Sequence, residues 1–109
     1  MNKKTTTNAT FPIPIDGLAN HLNRSSFPDS VIAMLKDDPL EAELVVLRLL
    51  KNYFWAVKTD LSITSIKFRD LDKENVTNAV AYFDFTVTGS KTEIAKIIGK
   101  GKFLHYAKA

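Results

Sequence analysis

The sequence predicts an α+β fold in which one long helix packs against a curved antiparallel sheet of three to four strands, with a short helix before it. Two observations predict this class. From position 39 onward the apolar residues recur at the spacing of a helix. Between residues 79 and 87 they instead alternate with polar residues at the period of a strand. With 109 residues, 45% hydrophobic and 25% charged, the chain has the composition of one globular domain.

The N-terminal part of the chain divides at residue 10. Residues 1–10 are polar and rich in Thr and Asn, so we predict a disordered tail and a single domain over 11–109. Residues 11–15 (FPIPI) contain two prolines, which fix an extended conformation and exclude a helix. The three apolar side chains of this arm share one face, which would lie along the core or along a partner.

Two helix-start signals follow one another. Ser26 can cap a helix that has Pro28 in its first turn, which predicts a short helix ending near Asp37. The same signal recurs at residues 38–41 and opens a helix of about twenty residues, from Pro39 to Lys58. Its apolar residues span an arc of about 200°, so we expect the sheet to cover more than one side of it. The arc comprises Leu40, Ala42, Val46, Leu47, Leu49, Leu50, Tyr53, Phe54, Ala56 and Val57.

The second half of the chain predicts strands. Residues 61–68 form one strand, whose phase slip between Ile63 and Ile66 indicates a bulge, and a charged turn over 69–75 leads to the strand 79–87. Residues 89–99 allow two interpretations. Ser90 and Glu93 fit a capped short helix, whereas a turn at 89–90 would lead into a further strand. We favour the hairpin because strands are predicted on both sides of it.

A long helix wrapped by an antiparallel meander resembles the cystatin-like and NTF2-like α+β folds. The resemblance covers about residues 39–107 and rests on the helix 40–58, the strand AVAYFDFTV (79–87) and the segment KIIGKGKFLHY (96–106). It implies one further strand after the last hairpin. Since the chain reaches Ala109 without it, we expect an open sheet edge with which a second copy can pair. These superfamilies include enzymes, inhibitors, secretion-system subunits and dimerisation domains, so the resemblance does not choose a function.

The charge is distributed unevenly along the chain. Residues 1–90 hold ten Lys/Arg and eleven Asp/Glu, whereas residues 91–109 hold five lysines against Glu93 alone. This basic segment could meet nucleic-acid phosphates, but lysines that alternate with apolar residues are more often solvated positions on an edge strand. We favour the second interpretation. The basic patch consists of Lys91, Lys96, Lys100, Lys102 and Lys108.

Four residues are candidates for a small pocket of the NTF2-like kind: Glu43, Tyr53, Asp84 and His105. Glu43 falls inside the apolar arc of the long helix, where it either favours the helix dipole or stands at the mouth of a pocket. His105 is either a surface histidine or a general base paired with Asp84 on the neighbouring strand. The chain has no cysteine and two distant histidines, so we expect no metal and no cofactor.

On the polar side of the long helix lies a stripe formed by Leu44, Arg48, Lys51 and Trp55. Trp and Arg are enriched in binding hot spots, so the stripe is a candidate partner surface. The alternatives are a stack of Trp55 on the two cations, or coverage of the stripe by the preceding helix.

These observations favour a non-catalytic protein–protein interaction module of the inhibitor, immunity or secretion-assembly type, which we expect to form a homo-oligomer. The alternatives are a small-pocket ligand binder or enzyme, and a nucleic-acid binder using the basic patch. No run approaches the roughly 18 apolar residues that span a bilayer, and no apolar signal-peptide region follows Met1, so we expect a cytoplasmic protein with no membrane partner.

Overall fold

A computed structural model describes residues 4–22, 28–72 and 79–99 of the chain. Its elements are β1 (Lys4–Pro14), α1 (Ile15–His21), α2 (Pro28–Asp37), α3 (Leu40–Ala56), β2 (Ser62–Asp72), β3 (Val80–Ser90), α4 (Lys91–Glu93) and a π-helical turn (Ile94–Ile98). Within the described ranges the strands form one antiparallel sheet in the order β1-β3-β2, with the helices packed on one face. The α+β class is therefore confirmed.

The central strand β3 pairs with both other strands of the sheet and contributes side chains to the core. It pairs with β1 on one side and with β2 on the other. Its side chains alternate, so that Phe83, Phe85 and Val87 are buried under the helices while Asp84 faces solvent. The predicted strand 79–87 is confirmed as extended structure, and it continues to Ser90.

The strand β1 corrects the prediction of a disordered tail. Residues 4–10 pair with β3 over their whole length, from Lys4 opposite Ser90 to Thr10 opposite Asp84. Their sequence conceals this pairing because the inward residues Thr5 and Thr7 are no more apolar than the outward ones. The extended arm is confirmed over residues 11–14, where Phe11 and Ile13 are fully buried, but Ile15 already begins α1.

Hydroxyl and amide side chains bond across the outer face of the sheet. Thr6 and Thr88 lie 3.0 Å apart between their Oγ1 atoms, and the Thr86 hydroxyl donates to Asn8 Oδ1 at 2.9 Å. Ser65 donates to Thr86 at 3.1 Å and so links β2 to the same network. Cross-strand pairs of this kind stabilise a sheet whose face stays in water. This network explains how a Thr-rich segment is held in β1.

Two bulges keep the apolar residues of β2 on the core face. The register with β3 shifts between Ile63 and Ser65, and again between Phe68 and Asp70. Each shift adds a residue to β2 alone, which restores the alternation that the sequence interrupts. The first bulge confirms the predicted phase slip. The second corrects the predicted turn, since Arg69 to Asp72 still belong to the strand, while residues 73–78 lie outside the described ranges.

The long helix α3 is buried along one face only. Ala42, Val46 and Leu50 are fully buried, and Tyr53 and Phe54 nearly so. The predicted arc is too wide, because Leu40 is 56% exposed, Val57 is 41% exposed and Ala56 also faces solvent. The sheet therefore covers a single side of α3, and α1 and α2 complete the core beside it with residues that include Leu18, Val31 and Leu35.

Residues 91–98 are helical, so the favoured hairpin is wrong and the capped-helix alternative is right. The Ser90 hydroxyl accepts a hydrogen bond from the Glu93 backbone N–H at 3.2 Å, the bond of an N-cap residue. Ile97 is buried against the core, which anchors the π-helical turn. The chain therefore forms a capped helix after Ser90 instead of a further antiparallel strand.

Gly89 lies on β3 beside Asp60 and Leu61, the residues just before β2. A Cβ atom built at this position would stand 2.5 Å from Leu61 Cδ2, 3.1 Å from Asp60 Oδ1 and 3.2 Å from Leu61 Cα. The absence of a side chain at residue 89 thus allows Leu61 to pack as a buried residue.

Lys58 ends α3 in a left-handed conformation, with φ at 55°. The backbone N–H of Thr59 donates to Phe54 O, and that of Lys58 donates to Trp55 O, both at 3.2 Å. These two bonds form a Schellman motif, which usually has glycine at the position of Lys58 because a Cβ atom strains that conformation.

We predict that Lys58→Gly stabilises the protein by about 1 kcal/mol, since glycine adopts this conformation without strain. Urea denaturation would measure the change. Lys58→Ala is the matched control, because it removes the same exposed side chain but keeps the Cβ atom, and it should leave stability nearly unchanged. Equal gains from both variants would show that the lysine charge, and not its backbone, is unfavourable.

Candidate functional site

The stripe of Leu44, Arg48, Lys51 and Trp55 lies on the solvent side of α3, opposite the buried face. Trp55 is 84% exposed and Leu44 is 52% exposed, while both cations are exposed. Spacings of three and four residues place these side chains in one row along about three helical turns. The structure therefore brings all four predicted partner-binding residues together on one open surface.

The structure excludes both alternatives to a partner surface, namely a stack of Trp55 on the two cations and coverage of the stripe by α2. A tryptophan stacked on neighbouring cations, or covered by α2, would lose most of its accessible surface, yet Trp55 keeps 84% of it. Leu44 and Trp55 are thus exposed at opposite ends of the stripe, with the two cations between them.

A shallow groove of about 380 Å³ runs beside Trp55, between the C-terminal half of α3 and the start of β2. Phe54 and Leu61 form its floor as buried residues, and Ile63 is half-buried in its wall. Lys51 stands at its rim. The groove can accept an apolar side chain, and the adjacent ammonium group can pair with a carboxylate.

The charge on this half of α3 is positive. Arg48, Lys51 and Lys58 are all exposed along the C-terminal part of the helix and just beyond it. Such a cluster attracts an acidic surface and repels a basic one, which gives the stripe a preference among partners.

One further apolar residue extends the stripe, although the sequence prediction placed it in the core. Leu40 is 56% exposed and lies one turn before Leu44 on the same side of α3. The four-residue spacing from Leu40 to Leu44 is the signal that could have identified Leu40 as part of the row.

Glu43 has a structural role that neither sequence interpretation anticipated. Its Oε2 atom accepts a hydrogen bond from the backbone N–H of Phe68 at 2.7 Å. Phe68 immediately precedes the second bulge of β2, on the strand that forms one edge of the sheet. A carboxylate on α3 thus satisfies a backbone donor of β2 and ties the helix to the sheet.

The other pocket candidates do not converge with Glu43. Tyr53 is buried on the core side of the sheet, where desolvation raises the pKa of its hydroxyl. Asp84 lies on the opposite, outer face, where it accepts a hydrogen bond from the Thr10 hydroxyl at 2.8 Å and lies 3.6 Å from Arg69 Nη1. His105, with its proposed pairing to Asp84, lies outside the described residues.

The basic patch is only partly described. Lys91 lies on α4 and Lys96 on the π-helical turn, both exposed, so they are helical residues and not positions on an edge strand. Lys100, Lys102 and Lys108 lie outside the described residues.

The described part of the chain contains no group of three or more His, Cys, Asp or Glu side chains placed to hold a metal ion. None of its helices combines the length and the hydropathy that crossing a bilayer requires. Comparisons with protein-family models, with curated proteins and with solved structures give no match.

We predict that Glu43→Ala destabilises the protein by about 1–2 kcal/mol, because the Phe68 N–H loses a charged acceptor in a half-buried setting. Chemical denaturation would measure the loss. Glu43→Gln is the matched control, since it keeps a side-chain oxygen that can accept the same bond, and it should lose less. A more stable Gln variant would instead favour the pocket interpretation, in which the carboxylate is an unfavourable buried charge.

We predict that Tyr53 makes the protein less stable in alkali. Because burial raises the pKa of the folded hydroxyl, the unfolded chain releases this proton first. The stability associated with the protonated Tyr53 hydroxyl is therefore fully present below about pH 10, the pKa of the unfolded chain, and is lost as the pH rises above it. Urea midpoints measured from pH 8 to pH 11 should fall less steeply for Tyr53→Phe than for the wild type. Parallel curves would contradict the prediction.

Proposed function

We propose that this chain is a non-catalytic protein–protein interaction module that holds a partner protein on the α3 stripe. The observation that carries the proposal is the exposure of Trp55, 84% accessible in a row with Leu44, Arg48 and Lys51. A tryptophan contributes most to binding when a partner desolvates it completely, and arginine is the other residue typical of such sites.

The chemistry of the surface specifies the partner. The apolar groove beside Trp55 fits a projecting aliphatic or aromatic side chain. Arg48 and Lys51 fit carboxylates placed next to it, and a guanidinium can bind a carboxylate through two parallel bonds. We therefore infer an acidic partner surface with at least one apolar anchor.

The placement of the stripe suits this role. It lies on the side of α3 that faces away from the core, so its side chains can be buried by a partner without repacking the fold. Binding through a preformed helix also avoids the entropic penalty of ordering a loop.

Capture from the native source, followed by mass spectrometry, tests the proposal. We expect Trp55→Ala and Arg48→Glu each to reduce capture of the same partner by about tenfold or more. Because both side chains are exposed, stability should change by less than about 0.5 kcal/mol. Trp55→Phe, which keeps an aromatic ring, should retain part of the binding.

The charge control is Lys36→Glu, which makes the same change of sign as Arg48→Glu but on α2, outside the stripe. It should leave capture unchanged. A partner captured equally by the wild type and by both stripe variants would overturn the proposal. A photo-crosslinking phenylalanine analogue at position 55 should trap the partner directly, whereas the same analogue at position 36 should not.

A further inference from the structure

The outer edge of β1 is defined by its hydrogen-bond pattern. The Ile15 N–H donates to Ala79 O at 3.0 Å, which continues the β1–β3 register by one residue. In an antiparallel pair, residues bonded to the neighbouring strand alternate with residues whose backbone groups point away. The odd-numbered residues of β1 therefore bond to β3. Pro12 and Pro14 fall in the even-numbered set, where a missing N–H removes no bond to β3.

Four residues with a backbone N–H, Lys4, Thr6, Asn8 and Thr10, complete the even-numbered set of β1. Their N–H and C=O groups point away from β3, and within the described ranges no strand pairs with β1 on that side. The N-terminal half of β1 is thus an edge that offers a full row of donors and acceptors.

The other edges of the sheet are protected. The outer edge of β2 carries two bulges, and Glu43 occupies the Phe68 N–H. The C-terminal half of β1 carries its two prolines. Bulges, prolines and side-chain acceptors are the usual devices that prevent one strand from pairing with another. The segment Lys4–Thr10 has only Lys4 as a charge and has no proline.

We propose that this edge pairs with the same edge of a second copy, antiparallel about a two-fold axis at Thr7, and so forms one continuous sheet across a homodimer. In this register Lys4 faces Thr10 of the second copy, and Thr6 faces Asn8. Every outward backbone group of the segment is then bonded. A register centred on Asn8 would place Pro12 opposite Lys4, and proline has no backbone N–H to donate to it. A register centred on Thr6 would place Thr10 opposite residue 2, which lies outside the described residues.

The charges support a second copy as the occupant. Lys4 lies on the outer face, and its opposite residue in the dimer is Thr10, whose hydroxyl donates to Asp84 at 2.8 Å. The ammonium group of each copy would therefore approach the half-exposed Asp84 carboxylate of the other. No like charges face each other along the segment, and Thr7 meets Thr7 in a favourable cross-strand pair.

This interface is separate from the α3 stripe, since it lies at the β1 edge whereas α3 packs against β2. The dimer would present two stripes, which raises the apparent affinity for a partner with two matching sites. The dimer proposal goes beyond the interaction-module proposal and depends on none of its residues.

Sedimentation velocity across a range of concentrations, combined with amide hydrogen exchange, tests the dimer. We expect a concentration-dependent dimer in which the Thr6, Asn8 and Thr10 amides become about tenfold or more protected as it forms. The Thr5, Thr7 and Ala9 amides, bonded to β3 in either state, should not respond. A monomer at every concentration would overturn the proposal, as would edge amides that are equally protected at every concentration by another segment of the chain.

Asn8→Pro removes one outward N–H from each copy while leaving the bonds to β3, as Pro12 and Pro14 already do. It should weaken dimerisation on the order of thirtyfold. Both Asn8→Pro and Asn8→Ala lose the hydrogen bond that the Asn8 side chain accepts from the Thr86 hydroxyl. Asn8→Ala keeps the backbone N–H and is therefore the control. Equal weakening by both variants would contradict edge pairing. Trp55→Ala should leave the dimer intact, which separates failure here from failure of the stripe.

Because the chain contains no cysteine, the two-fold axis can be located by cross-linking. Thr7→Cys should form an intermolecular disulfide on oxidation, since residues directly opposite in a non-hydrogen-bonded pair lie about 4.5 Å apart between Cα atoms. Ala9→Cys, which would face Thr5 of the second copy, should not. The reverse result would reject the register centred on Thr7.

Discussion

The fold depends on one constraint, the two-sided position of β3. This strand bonds its backbone to a neighbour on each side, and it buries Phe83, Phe85 and Val87 on one face while its other face stays in water. The helices can pack only on the apolar face, and the outer strands must each keep their own apolar residues in phase with it. The bulges of β2 and the alternation of Phe11 and Ile13 in β1 both follow from that requirement.

The elements that could be predicted from sequence are those with a strong local period. The strand 79–87 alternates cleanly, and α2 and α3 begin with recognisable start signals, so the structure contains all three. β1 could not be predicted in the same way, because its N-terminal half has no apolar alternation. It is held by side-chain hydrogen bonds that join Asn8 to Thr86 and Thr6 to Thr88, residues distant in sequence. At Ser90 both a cap and a turn were locally plausible, and burial of Ile97 accompanies the helical choice.

The candidate surface was partly predictable for the same reason. A helical wheel identifies the row of Leu44, Arg48 and Trp55, since their spacing is local. It overestimated how much of α3 is covered, because a wheel does not show how many sides of a helix have neighbours. The bond from Phe68 to Glu43 joins residues 25 positions apart and depends on where a bulge falls, so no local pattern reveals it.

The close approach at Gly89 has a consequence for how this chain can diverge. Trimming Leu61 would clear the nearest atom, but the Leu61 Cα and the Asp60 carboxylate would still crowd any side chain at residue 89. Replacement of Leu61 alone would therefore still leave the main chain of residue 61 and the Asp60 carboxylate to shift by a few tenths of an ångström. A side chain at residue 89 thus requires coordinated adjustment at two consecutive neighbours, which links the residues before β2 to the end of β3.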